Sequence, residues 1–392
     1  METIDNKYNQ NLVYAAAYLG MLIFGIVMIS LGTLTTFIID QFHAPVTQVA
    51  SLMMILPFGT LLGSLIFGPI IDRYGYKSLL VICILLIAGG ILGIATLTNF
   101  RLVQLAIFII GFGGGIINGG TNALVADISG VEKGAKLSLL GAFFGIGAFG
   151  FPLLVGFLVN YFSYQSIIKA VGLLILLTTG LFACIQFPAP KQKAKGADFS
   201  ELKILKSPIL LLIGIILFFE SGMEGIASNW TALYLTKERG LETDTALYAL
   251  SFIILGLTAM RLILGFTLKY IRDHIILYVC FGLILVGALL VLINTKYIIV
   301  IAGLTILGAG FGAIFPILLG YLGNLFSEAS GTAFSFVFSM ALIGNMIINA
   351  GVGQITHNGN FHYYLFVLLI CLLLQVLTFS VIAKKITTKV KA

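Results

Sequence analysis

The chain is a succession of apolar runs separated by short polar punctuation. Reading between charges and turn residues predicts twelve of them, over residues 11–38, 46–71, 78–98, 101–126, 134–161, 165–187, 208–235, 243–268, 274–294, 297–324, 330–355 and 361–383. About 20 apolar residues cross a bilayer as a helix, and these runs lack the two-residue alternation of a barrel strand. The pattern predicts an all-α integral membrane protein with twelve transmembrane helices. In 392 residues that leaves no stretch for a separate soluble domain. The polar N-terminus also lacks the order of features expected of a removable signal peptide.

The longest connection, 188–207, is Lys-rich, carries Pro188 and Pro190, and stops at Pro208. It reads as a cytoplasmic linker between two six-helix bundles, 1–187 and 208–392. Sliding the second half against the first at an offset of 197 aligns ten glycine pairs. Gly59/Gly256, Gly90/Gly287, Gly111/Gly308, Gly113/Gly310 and Gly147/Gly344 are among them. That is far more than 45 glycines in 392 residues would match by accident. Close helix approach in lipid needs small side chains, so the halves are expected to share one backbone plan. An offset that maps span 1 onto span 7 keeps the orientation, as in a parallel repeat.

Composition narrows the class. Hydrophobic residues make up 59% and charged ones 9%, against about 25% charged in a soluble domain, and the mean hydropathy is +1.11. A soluble enzyme and a disordered chain are excluded. The net charge of +7 suggests nucleic acid until its placement is considered. Sixteen of the 22 basic residues fall in one alternating set of loops; Arg101, Lys169, Lys237, Arg239 and Lys296 fall in the other, and Arg261 lies within a span. The bias places both termini in the cytoplasm, so the basic balance is topogenic. Cys83, Cys184, Cys280 and Cys371 sit in apolar runs without C-x-x-C spacing and read as small buried hydrophobes. His43, His274, His357 and His362 lie in or beside loops without metal spacing.

Between spans 2 and 3 the chain reads Gly68-Pro-Ile-Ile-Asp72-Arg73-Tyr74-Gly75-Tyr76-Lys77. This resembles the G-x-x-x-D-R-x-G-[RY]-[RK] signature of the major facilitator superfamily, and a degenerate copy, Gly265 to His274, lies one repeat later. The resemblance implies the twelve-helix major facilitator fold and secondary transport by alternating access. Asp72, Arg73 and Lys77 would then gate the cytoplasmic side; the plainer reading of Arg73 and Lys77 is topology alone.

Ionisable groups inside a membrane are costly and are functional candidates by default. Away from the loops these are Glu220, Glu224 and Arg261, with Asp127 at a boundary. Glu220 and Glu224 are i and i+4, on one face of span 7, a pairing suited to binding H⁺, or Na⁺ when ionised. At 1.5 Å per residue Glu220 lies about 18 Å from the cytoplasmic end of its span, Glu224 about 24 Å and Arg261 about 12 Å. A static ion pair between Arg261 and Glu220 is the structural alternative. Asn118 and Asn122 on span 4, and Asn345 and Asn349 on span 11, form two further i,i+4 pairs. Amides donate and accept, which suits hydroxylated ligands; the competing reading is interhelical glue. Trp230, the only tryptophan, stands beside Asn229 as an aromatic plate for a sugar face or as part of an interfacial belt.

Two literal matches carry nothing. Gly145 to Gly150 spells G-x-G-x-x-G inside an apolar helix with no preceding strand. Asn229-Trp230-Thr231 spells a glycosylation sequon inside a span. No nucleophile–base constellation is present, so no enzyme is expected.

Span 7, from Phe218 to Tyr234, is similar to the G-x-E-x-x-x-x-x-W-x-x-x-Y pattern of the fucose/galactose/glucose sugar:cation symporter branch, and Gly256 to Arg261 to its G-x-T-x-x-R. The stretch from Asn122 resembles its N-P-F-V segment. The resemblance implies a sugar symporter, with Glu224 in a coupling role tuned by Glu220 and Arg261. Asn118, Asn122, Asn229, Trp230, Asn345 and Asn349 would serve the substrate. That branch also carries acids on spans 1 and 4; here span 1 has none and Asn118 stands on span 4. On span 5, Gly147 to Gly156 resembles a loosened antiporter motif, with Phe151 interrupting its G-P. The alternative is therefore a proton-coupled efflux antiporter of drugs or amphiphilic metabolites. The expected partners are a small-molecule substrate and the lipid bilayer of the cytoplasmic (plasma or inner) membrane, with no nucleic acid, no cofactor or metal beyond the coupling ion, and a monomeric state.

Overall fold

The computed structural model describes residues 8–129, 133–188, 206–267, 270–293, 296–326 and 330–389. The first half runs α1 (Gln10–Phe42), α2 (Val46–Tyr74), α3 (Tyr76–Thr96), α4 (Phe100–Ile128), α5 (Lys133–Leu158) and α6 (Tyr164–Cys184). The second runs α7 (Pro208–Leu233) with a π-helical end (Tyr234–Glu238), α8 (Thr243–Thr267), α9 (Asp273–Ile293), α10 (Tyr297–Gly312), α11 (Ile314–Leu325), α12 (Ser330–Ile355) and α13 (Tyr363–Lys389). Twelve spans among the described residues are long and apolar enough to cross a membrane, with α10 and α11 forming one of them.

Local chemistry sets the boundaries. Gly75 separates α2 from α3 at φ +77°, a conformation that a side chain resists, and its N–H closes α2 on Ile71 O at 2.8 Å. The glycine of the loop signature is thus a turn requirement. Asn99 Oδ1 accepts the N–H of Arg101 at 2.9 Å and caps α4. The run expected as one helix over 297–324 breaks between Gly312 and Ile314, because Pro316 has no N–H for the Gly312 carbonyl.

By proximity the chain sorts into two units: Met1–Leu31 with Ile55–Gly196, and Gly32–Met54 with Ala197–Ala392. Inside the first, α3 packs on α4 and α6; inside the second, α9 packs on α10 and α13, its repeat equivalents. Glycine contacts reproduce the offset residue by residue. A Cβ on Gly59 would meet Phe108 O at 2.5 Å, and one on Gly256 would strike Thr305 O. Gly111 lies against Leu56 O and Gly308 against Ile253 O. Gly113 faces Cys83 and Ile87, and Gly310 faces Cys280 and Ile284. Each partner pair is again 197 apart. Gly32–Met54 groups with the second unit because Gly32 lies against Ser228 O and Gly353 against the Ala50 side chain. One cysteine departs from expectation: Cys184 is exposed, at the C-terminal end of α6, while the other three are buried.

Candidate functional site

In the first unit α4 carries Gly111 to Gly115. Gly111 and Gly115 bring its backbone against Leu56 O and Thr60 O of α2. One turn later Asn118 and Asn122 are both half-buried. Asn122 Nδ2 donates to Asn118 O at 2.9 Å and to Asn118 Oδ1 at 3.1 Å. Asn118 Nδ2, with its two N–H groups, and Asn122 Oδ1 make no hydrogen bond among the described residues. Asp127, farther along α4, accepts the Tyr76 hydroxyl at 2.5 Å.

The second unit repeats that amide ladder in a closed form. Asn349 Nδ2 donates to Asn345 O at 2.9 Å and to Asn345 Oδ1 at 3.1 Å, and both residues are buried. Asn345 Nδ2 donates to Ser221 O at 2.9 Å. Asn349 Oδ1 accepts from Asn229 Nδ2 and from Trp230 Nε1, each at 3.1 Å. Gly225 makes room, since a Cβ there would strike the Asn345 amide. The network knits α7 to α12. Trp230 is fully buried; neither an open aromatic face nor a place in an interfacial belt is present in this conformation. A buried indole N–H needs an acceptor, and Asn349 supplies it.

The two acids of α7 occupy different environments. Glu220 is fully buried; its Oε2 accepts Gln375 Nε2 of α13 at 2.8 Å, and its Oε1 has no partner among the described residues. Glu224 is half-buried and makes no hydrogen bond among the described residues. Arg261 on α8 is near enough to act electrostatically on both carboxyls. It forms no ion pair with either among the described residues, and its Nε is buried without a partner. The static Arg261–Glu220 pair is therefore absent. Gln375 escaped the sequence reading because it is uncharged and sits alone in the apolar run of α13. Its signal was that isolation: an amide among apolar neighbours in lipid needs a protein partner.

Lys77 is exposed at the start of α3, while the Asp72 and Arg73 side chains lie outside the described ones. A cavity of about 360 Å³ is lined by Tyr234, Glu238, Arg239, Leu292, His362 and Phe366. Its polar groups are largely engaged: Glu238 holds His362 Nδ1 at 2.6 Å and His362 N at 2.8 Å, and Arg239 Nε donates to the Tyr234 hydroxyl at 2.6 Å. No cluster of three metal-ligating side chains occurs among the described residues.

A family model described as Major Facilitator Superfamily matches residues 16–349. The chain is 22% identical over 361 residues to the uncharacterized MFS-type transporter YfkL of Bacillus subtilis (strain 168), covering 89% of this chain and 90% of that one. It is 26% identical over 360 residues to the glucose/mannose transporter GlcP of the same organism, covering 87% of each. Among solved structures, a point mutant of the nucleoside transporter NupG superimposes with a TM-score of 0.81 at 15% identity, covering 95% of this chain and 99% of the other. A D-xylose-proton symporter superimposes with a TM-score of 0.77 at 15% identity, covering 94% and 97%.

Proposed function

We propose, because this chain belongs to the major facilitator superfamily, that it imports a hexose-like or other polyhydroxylated small solute by H⁺ or Na⁺ symport. Glu224 is the observation that carries the reading: a half-buried intramembrane carboxyl with no hydrogen bond among the described residues. A static scaffold has no use for such a group, whereas a coupling site needs one that gains and loses a cation. The free donor on Asn118 and acceptor on Asn122 suit a sugar hydroxyl, which gives and accepts hydrogen bonds. The network of Asn229, Trp230, Asn345 and Asn349 fixes α7, the helix that carries Glu224, against α12. A relative named as a glucose/mannose transporter and a structural neighbour named as a D-xylose-proton symporter support the substrate class.

In this proposal transport proceeds by alternating access of the two six-helix bundles, 1–187 and 208–392, Asp72, Arg73 and Lys77 gate the cytoplasmic side, and both termini lie in the cytoplasm. A second reading, proton-coupled export of amphiphiles, draws on the glycine-rich α5 with Pro152 inside it. The test is charge movement in proteoliposomes as hexoses, deoxyhexoses, amino sugars and polyols are applied at two pH values, with and without Na⁺. A saturable current with one sugar class, lost in Glu224→Gln, supports symport. A folded preparation that is silent to every sugar and moves charge with amphiphiles supports the exporter.

A further inference from the structure

Two buried oxygens stand out around Glu220. Gln375 is fully buried on α13 and its Nε2 serves two acceptors of α7, Ile216 O at 3.2 Å and Glu220 Oε2 at 2.8 Å. The other oxygen of each side chain, Glu220 Oε1 and Gln375 Oε1, is buried and has no partner among the described residues. Both are acceptors, and a buried acceptor without a donor is costly. What the pair lacks is a single hydrogen. A carboxylic O–H on Glu220 donating to Gln375 Oε1 would satisfy both oxygens and close a two-bond acid–amide ring. An amide carries no charge, so it does not neutralise a carboxylate as a cation would. Hard cations gather oxygen ligands, whereas here an N–H already points at the carboxyl.

We propose that Glu220 and Gln375 form a built proton-binding site, with Gln375 as its positioning residue, distinct from Glu224, the half-buried carboxyl one turn along α7. The proposal rests on the cation-coupled reading above and makes that cation a proton. The charged and titratable groups around Glu220 are Glu224 on α7 itself, Arg261 on α8 and the Cys280 thiol on α9, with neutral Gln375 on α13. In the cycle the proton enters on Glu220 Oε1 and is held against Gln375. On release the carboxylate is left within electrostatic reach of Arg261, whose buried Nε has no partner among the described residues. The proton is the only species transferred, and no bond between heavy atoms changes.

The test needs no substrate. Infrared difference spectra between acid and alkaline pH, on purified protein in lipid, report the C=O stretch of a protonated carboxyl. A band present in wild type and in Glu224→Gln, absent in Glu220→Gln and displaced in Gln375→Leu, is the expected result. Glu220→Asp serves as a second variant that keeps a carboxyl and should keep a displaced band. A band unchanged in Glu220→Gln, or unmoved in Gln375→Leu with helicity intact, overturns the proposal. Uptake of each member of the sugar and polyol panel above, driven by a pH gradient, is then measured in the same preparations. The expected band without any such uptake would uphold the proton site and overturn the sugar reading; uptake without the band would do the reverse.

Discussion

Lys237 Nζ stands 2.6 Å from Asp40 Oδ1, and the two residues are 197 positions apart, the interval that superimposes the glycines. Equivalent positions of the repeat thus carry opposite charges and meet, within the second unit, where the end of α1 reaches the π-helical end of α7. With side chains 38% and 59% exposed, the bond is screened, and such pairs contribute about 0.2–1 kcal/mol. Asp40→Lys should change the rate of substrate exchange by no more than about fivefold, as that energy implies. The double variant Asp40→Lys, Lys237→Asp should restore it. A double variant as impaired as the single would show that the charges act separately.

Glycine contacts predict a sharp contrast between two alanine substitutions. A Cβ on Gly308 would strike the carbonyl of Ile253, a backbone atom held by its own helix, whereas a Cβ on Gly282 meets nothing within 4 Å. Gly308→Ala should destabilise the protein by about 1–3 kcal/mol, the usual cost of overpacking. Gly282→Ala should be neutral or slightly stabilising, since alanine is the better helix former by up to about 1 kcal/mol. Thermal unfolding in one detergent compares them directly.

The fold was legible because membrane helices announce themselves by length, and because close helix approach selects glycine at repeat-related positions. What the sequence hid was which face each polar residue presents. Asn118/Asn122 and Asn345/Asn349 are the same i,i+4 motif with the same internal hydrogen bonds, yet one is half-open and the other is sealed by Asn229 and Trp230. Spacing along a helix does not say whether a neighbouring helix covers that face; Gly225 and the Trp230 indole decide it. Gln375 was hidden for the same reason, since its meaning comes from Glu220, 155 positions away.

The two amide ladders should therefore respond differently to the same substitution. Asn349→Ala removes the acceptor of both Asn229 Nδ2 and Trp230 Nε1, leaving buried donors unpaired at about 1–3 kcal/mol each. Stability should fall, and the emission of Trp230, the chain's single tryptophan, should change. Asn118→Ala strands no buried group, so stability and fluorescence should hold while the KM for the transported substrate rises. An Asn118→Ala protein with unchanged KM would remove that residue from the substrate site.

Glu224 carries the last prediction. A carboxyl that binds the coupling ion is needed for accumulation against a gradient, in which the loaded carrier must return empty of substrate and ion. It is not needed for exchange, in which the carrier crosses only when loaded. Glutamine keeps the shape of the protonated acid and cannot release a cation. Glu224→Gln should therefore abolish gradient-driven uptake and preserve counterflow of labelled substrate at a rate within a few-fold of wild type. Both are read in proteoliposomes from the same purification, so a misfolded variant is recognised by the loss of counterflow as well. Accumulation that survives the substitution would remove Glu224 from coupling and leave Glu220, with Gln375, as the intramembrane carboxyl that could supply it.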